Sequence, residues 1–155
     1  MNDRLSLPKD KIRVLLLEGV HESGVQLMKA AGYSNLTRLT KALEGKELLE
    51  AVEGVHILGI RSRTQLTEEV LAAADKLICA GCFSVGTNQV DLDAARRRGV
   101  PIFNAPFSNT RSVAELVIGE IVMMMRRIFP RSVLAHEGGW DCLLYTSPSP
   151  RDATL

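Results

Sequence analysis

Apolar runs and helical periods alternate along the chain, and that alternation sets its architecture. Ile12-Arg13-Val14-Leu15-Leu16-Leu17 is a nearly continuous apolar run after a charged lead, the mark of a strand covered on both faces. Glu22 to Ala31 follows with Val25, Leu27, Met28 and Ala31 at helical spacing and stops at Gly32, a natural C-terminal cap. Asn35 to Leu39 reads as a short, weak strand, and Gly45 to Val52 as a helix with Leu48, Leu49 and Val52 on one face. Val55 to Ile60 repeats the buried-strand pattern, and Thr67 caps a helix through Ala74 whose first turn carries Glu68 and Glu69. Leu77 to Ala80 gives a further strand, Asp91 to Arg98 a helix ending at Gly99, and Pro101 to Phe103 a short strand. A long helix is predicted from Ser112 to about Phe129, stopped by Pro130, with Ser112 and Glu115 as a capping box. Strands alternating with helices at this pitch form a doubly wound parallel sheet, an α/β fold.

Composition narrows the function classes. A chain of 155 residues, 46% hydrophobic, supports one ordinary core and not two full domains. Nineteen basic against 18 acidic residues leave a net charge of +1, so neither nucleic acid nor an anionic membrane is an expected partner. The longest apolar run, Leu116 to Met125, is broken by Gly119 and Glu120 and falls short of the roughly 20 residues of a bilayer span. With no secretory leader visible and three cysteines lacking disulfide spacing, a cytoplasmic setting is expected.

The end of the chain reads differently from the rest. From Cys142 onward proline and serine abruptly replace the amphipathic pattern, after a Gly138-Gly139-Trp140 break. Composition alone would make this a flexible tail. A codon string that encodes Cys142 to Asp152 in order resembles, however, the transposon adapter used in building sequencing libraries, so residues 142–155 are expected to be a non-native tail.

In a doubly wound sheet ligands bind outside the carboxyl ends of the strands, so the loops that follow strands carry the candidate chemistry. After Ile60 comes Arg61-Ser62-Arg63-Thr64; on an extended segment Arg61 and Arg63 would point to one side and could share an anion with the Ser62 hydroxyl. Two solvated arginines are the plain alternative. After Ala80 comes Gly81-Cys82-Phe83-Ser84-Val85-Gly86, where glycines at 81 and 86 permit positive φ and close approach of backbone to a ligand, so that consecutive N–H groups could line an anion nest. Cys79 and Cys82 make a Cys-x-x-Cys, but no second Cys or His pair at zinc-ligand spacing completes four ligands, and no metal site is expected. After Phe103 the capping box leaves a helix N-terminus open to a polar group. The helix behind it is apolar nearly all round and asks for cover on more than one side.

Three stretches carry a resemblance: Gly-Ile-Arg-Ser-Arg-Thr at 59–64, Gly-Thr-Asn-Gln-Val-Asp-Leu-Asp-Ala-Ala at 86–95, and Asn-Ala-Pro-Phe-Ser-Asn-Thr-Arg-Ser-Val-Ala-Glu-Leu-Val-Ile-Gly-Glu at 104–120. With the early Glu18-Gly19-Val20-His21, they closely resemble the D-2-hydroxyacid dehydrogenases, on the branch that oxidises 3-phosphoglycerate with NAD in serine biosynthesis. The resemblance covers roughly residues 9 to 140. It implies a flavodoxin-like substrate domain over 9–108, a linking helix and the start of a nucleotide-binding Rossmann domain over 109–141, and a homo-oligomeric parent enzyme. Carried over residue by residue, Arg61, Ser62, Arg63, Ser84, Gly86 and Asn109 match substrate contacts, and Val85 and Val113 match positions beside the cofactor. The family's Gly-x-Gly-x-x-Gly turn, acidic ribose ligand, catalytic Arg and His–Glu pair match nothing in this sequence and are expected downstream; His21, His56 and His136 match no catalytic position. The other class considered is a free-standing βαβ module that binds a small anion or acts as a phosphorylation receiver. A receiver would need an acidic cluster after the first strand and an Asp after the third, and Glu18 alone and Arg61 stand there instead.

Overall fold

Five short strands pair in parallel in the order β2-β1-β3-β4-β5: β1 Val14–Leu16, β2 Leu36–Arg38, β3 Ile57–Ile60, β4 Cys79–Cys82 and β5 Ile102–Asn104. A computed structural model of the chain describes residues 7–140. Helices α1 Glu22–Ala30, α2 Gly45–Val52, α3 Glu68–Ala73 and α4 Leu92–Arg97 connect the strands, so each strand end is followed by a loop and each loop by a helix. This is the doubly wound α/β sheet that the hydrophobic pattern predicts.

The period-2 geometry of the strands sorts their side chains onto two faces. Leu15, Leu17, Leu58, Ile60, Ala80 and Cys82 join Leu48 and Val52 of α2, Val70 and Leu71 of α3, and Ala94 and Ala95 of α4 in the main core. Val14 and Leu16, on the opposite face, pack with Val20, Val25 and Met28 beside and on α1 in a smaller cluster. Burying each of the larger side chains stabilises the fold by about 1.5–3 kcal/mol, which is why runs covered on both sides are also the most legible ones. Gly59 in β3 permits a close approach: a Cβ there would lie 2.5 Å from a Leu16 methyl and 3.0 Å from the Phe83 ring.

β1 and β3 begin two residues later than predicted, at Val14 and Ile57, and the clearest differences from expectation lie in β4 and the long helix. β4 runs from Cys79 to Cys82, two residues later than the Leu77–Ala80 strand, because the Leu77 N–H still bonds Ala74 O at 3.1 Å in the turn leaving α3, while Cys79 to Cys82 matches the full length of β3. The long helix begins earlier and ends sooner than predicted, as α5 Thr110–Met125 with Asn109 as its N-cap and no side-chain cap. Ser112 therefore lies inside the helix, the Ser112–Glu115 capping box does not form, and Glu115 pairs with Arg111 at 2.7 Å instead. A break at Arg127, whose φ is 53°, starts a further helix, α6 Ile128–His136, and Pro130 sits in its first turn, where a missing N–H costs little.

The chain divides into two compact units, one ending at Ser108 and the other beginning at Asn109. In the second, α5 and α6 have no buried residue. Among the described residues no helix is long and apolar enough to cross a membrane. The tail expected to be non-native, 142–155, lies outside the described residues.

Candidate functional site

The carboxyl ends of β1, β3, β4 and β5 meet in a row of loops cross-tied by side chains. Beyond β1 the chain passes Leu17 and reaches Glu18, which adopts φ 59°, followed by Gly19 at φ 64°. Two successive left-handed residues turn the chain sharply, and the turn is held by Glu18 N–H donating to Lys41 O at 3.1 Å and Gly19 N–H to Leu39 O at 2.9 Å. The Glu18 carboxylate is thereby carried under the loop that follows β3.

There it accepts four consecutive backbone hydrogen bonds: from the N–H groups of Arg61 at 3.0 Å and Thr64 at 2.9 Å on Oε1, and from Ser62 at 3.1 Å and Arg63 at 3.0 Å on Oε2. Its side chain is 3% exposed. Burial alone would push the Glu18 carboxyl up, but the N–H groups of Thr64, Arg63 and Arg61 outweigh it and hold it below the ordinary carboxylate value. The Thr64 hydroxyl is buried beside it without a hydrogen-bond partner among the described residues.

This arrangement corrects the picture of an extended Arg61-Ser62-Arg63 segment. Residues 61–64 form no strand; they curl so that four N–H groups converge on one carboxylate. All three predicted residues are exposed at the loop surface. Arg63 Nε lies 4.0 Å from Glu18 Oε2, whereas among the described residues no carboxylate pairs with the Arg61 guanidinium. The carbonyl side of the same loop is tied by Gln89, 3% exposed, whose Nε2 donates to Arg61 O at 2.6 Å and to Ser84 Oγ at 3.0 Å.

The loop after β4 is held in turn. Ser84 Oγ donates to Gly86 O at 2.8 Å, Asn104 Nδ2 donates to Val85 O at 2.7 Å, and Ala105 N–H to Ser84 O at 3.0 Å. All three carbonyls of Ser84, Val85 and Gly86 are therefore occupied, and among the described residues the N–H groups of Val85 and Gly86 have no protein acceptor. Neither Gly81 nor Gly86 takes positive φ, contrary to expectation. Gly81 belongs to β4, and Gly86 is needed for room, since a Cβ there would come 2.8 Å from Asn88 Oδ1. Val85 and Phe83 are half exposed.

Asn109 and Val113 fall in the second unit, Asn109 as the N-cap of α5 and Val113 in its first turn, 48% exposed. Sequence reasoning passed over Glu18 and Gln89 as site residues. The signal for Glu18 was a lone acid closing an apolar strand directly before Gly19; Gln89 carried none. Burial pushes both Cys79 and Cys82 thiols up, with the Glu18 charge adding to it at Cys82, so neither is a ready thiolate. Among the described residues no cluster of His, Cys, Asp and Glu could hold a metal.

The Glu18 geometry sets a pH dependence. A carboxylate whose pKa is lowered on folding contributes stability that is complete above its unfolded value and is lost as pH falls through the folded one. Replacing it by Gln should lower the thermal midpoint at neutral pH, with a gap that is level from pH 7 to about 5 and narrows below about pH 4. A gap that stays constant into that acid range would contradict this account.

Comparison with known proteins adds the chemical setting. Residues 14–150 match the family model for the D-isomer specific 2-hydroxyacid dehydrogenase, catalytic domain. The chain is 55% identical over 141 residues to D-3-phosphoglycerate dehydrogenase of Haemophilus influenzae, covering 91% of this chain and 34% of that protein. It is 54% identical over 152 residues to the enzyme of the same name from Escherichia coli K12, covering 98% and 37%. The chain thus spans about a third of the length of the curated relatives it matches. A solved structure from Thermus thermophilus superposes with TM-score 0.71 at 28% identity, over 86% of this chain and 44% of that one. D-Lactate dehydrogenase from Aquifex aeolicus, solved with NAD and lactic acid, shares the fold with TM-score 0.70 at 21% identity, over 88% and 39%.

Proposed function

Because the chain belongs to the D-isomer specific 2-hydroxyacid dehydrogenase family, we propose that it is the substrate-facing part of an NAD-dependent enzyme that oxidises 3-phosphoglycerate to 3-phosphohydroxypyruvate for L-serine synthesis. The observation that carries this reading is Arg61: an exposed guanidinium with no carboxylate partner among the described residues, on a loop whose backbone is fixed on both edges. A cation held this way is available to a substrate anion without first giving up a protein partner.

The other groups divide the remaining work. Ser62 offers a hydroxyl beside Arg61, and Arg63 a second positive charge partly drawn toward Glu18. The free N–H edge of Val85 and Gly86 suits a carboxylate or carbonyl oxygen, and Asn109, in the other unit, is assigned to substrate by the family resemblance alone. Of the cofactor, only the nicotinamide end is addressed: Val85, 44% exposed with its carbonyl tied back by Asn104, suits a flat ring, and Val113, in the other unit, is assigned to it by the family resemblance alone. No Gly-x-Gly-x-x-Gly turn for the pyrophosphate occurs in the sequence. When bound, NAD supplies the acceptor for the hydride that leaves the hydroxyl-bearing carbon of the substrate. This chain's part is to bind and orient that substrate, which lowers the barrier by fixing the reacting carbon in place.

The test is an assay of the full-length parent gene product. NADH should form with 3-phosphoglycerate and far more slowly with D-lactate, which lacks the phosphate. Equal turnover of the two substrates, or turnover of neither, would overturn the reading.

A further inference from the structure

We propose that Glu18 is a positioning residue for the substrate-anion loop: its buried carboxylate fills the nest of N–H groups at 61–64, so that the substrate anion is received by the side chains of that loop and not by its backbone. The inference rests on the reading of Arg61 as a substrate contact and adds to it a group that never touches substrate.

Four converging backbone N–H groups at the end of a β-strand are, left to themselves, an anion site. Here all four are taken, at 2.9–3.1 Å, by one internal carboxylate. A carboxylate offers about four lone-pair sites, so Glu18 has none to spare for a proton transfer or a metal. The residue is held in a left-handed conformation that is uncommon for a non-glycine side chain, and such strain persists only where its surroundings impose it. Here those surroundings are the bonds to Lys41 O and Leu39 O on one side and the nest on the other. Gln89 grips the opposite edge of the loop through Arg61 O at 2.6 Å. The Arg61 backbone is therefore held at both its N–H and its C=O by buried side chains from the loops beyond β1 and β4, which fixes the point from which the guanidinium reaches out.

A purely structural role would lower stability and leave the folded enzyme's kinetics alone; a positioning role moves substrate affinity selectively. In the full-length parent, Glu18→Gln presents an amide NH2 to donors and should raise the KM for 3-phosphoglycerate about tenfold or more, with the KM for NAD within about twofold. Because Glu18 acts through the side chains of the loop, of which Arg61 is one, Glu18→Gln should raise the substrate KM less in the Arg61→Ala background than in the unaltered enzyme. An unchanged substrate KM in folded Glu18→Gln enzyme, or two effects that multiply, would overturn the proposal. Should Glu18→Gln fail to fold, Glu18→Asp keeps the charge but shortens the reach, and the same split between the two KM values applies to it. In the unaltered enzyme without substrate, the amide hydrogens of 61–64 should exchange slowly, and rapid exchange would overturn the proposal independently. An Arg61→Ala enzyme with unchanged substrate KM would bring down the substrate reading itself, and this inference with it. A raised KM there beside a normal one in Glu18→Gln removes only the role of Glu18.

Discussion

Arg61→Ala in the full-length parent should raise the KM for 3-phosphoglycerate about 10- to 150-fold, since a hydrogen bond to a charged group contributes about 1.5–3 kcal/mol. The KM for NAD should change little, because the guanidinium belongs to the loop after β3, while the residues assigned to the nicotinamide are Val85 and Val113. Arg63→Ala should have the smaller effect of the two: its Nε is already 4.0 Å from the Glu18 carboxylate, so part of its charge is answered within the protein. Arg61→Lys tests the geometry of the contact, as an ammonium keeps the charge but not the planar fork that matches an oxyanion in two places. Steady-state kinetics with each substrate varied at saturating concentrations of the other separates these cases. A substrate KM unchanged in Arg61→Ala would remove Arg61 from the site.

The sheet was legible because its strands are covered on both faces. Val14 to Leu17 and Leu58 to Ile60 are uniformly apolar, a pattern that amphipathic surface strands do not produce, and Gly32 and Gly99 follow the ends of α1 and α4. Boundaries were less legible where a tertiary partner decides them: β4 is registered by β3, and the start of α5 by backbone geometry at Asn109 that overrides the Ser112–Glu115 box. Of the site, the residues whose side chains are exposed, Arg61 and Arg63, could be read from their place after a strand. The residues beneath them could not. Periodicity reports which positions are apolar, and Glu18 and Gln89 are buried polar groups that grip the 61–64 loop from 43 to 46 and 28 residues away in sequence. A loop that curls around a carboxylate reads, in one dimension, the same as an extended one.

The 155-residue chain by itself should show no reduction of NAD with 3-phosphoglycerate at any pH, although the full-length gene product should turn over. Oxidation of the substrate needs a base to take the hydroxyl proton as hydride leaves, and a seat for the dinucleotide. The three histidines are each engaged locally. His21 accepts the Ser23 N–H as the cap of α1, His56 Nδ1 accepts the Arg13 N–H at 3.1 Å, and His136 Nδ1 lies 2.7 Å from Ser132 O within α6. Glu18 is saturated by four N–H donors and held below the ordinary carboxylate value, which makes it a poor proton acceptor near neutrality. Binding substrate through Arg61 and Ser62 would leave the chemical step uncatalysed, because orienting one reactant lowers the barrier only where the hydride acceptor and the base are held beside it. Groups that act as a unit also fail as a unit, so a half-site is not expected to retain a proportionate share of the rate. The measurement is NADH formation by the purified chain, expressed in a host lacking its own phosphoglycerate dehydrogenase, beside the completed reading frame prepared in the same way. Reduction of NAD by the 155-residue chain above the no-enzyme control would show that a base exists among these residues, and its pH profile would identify which one.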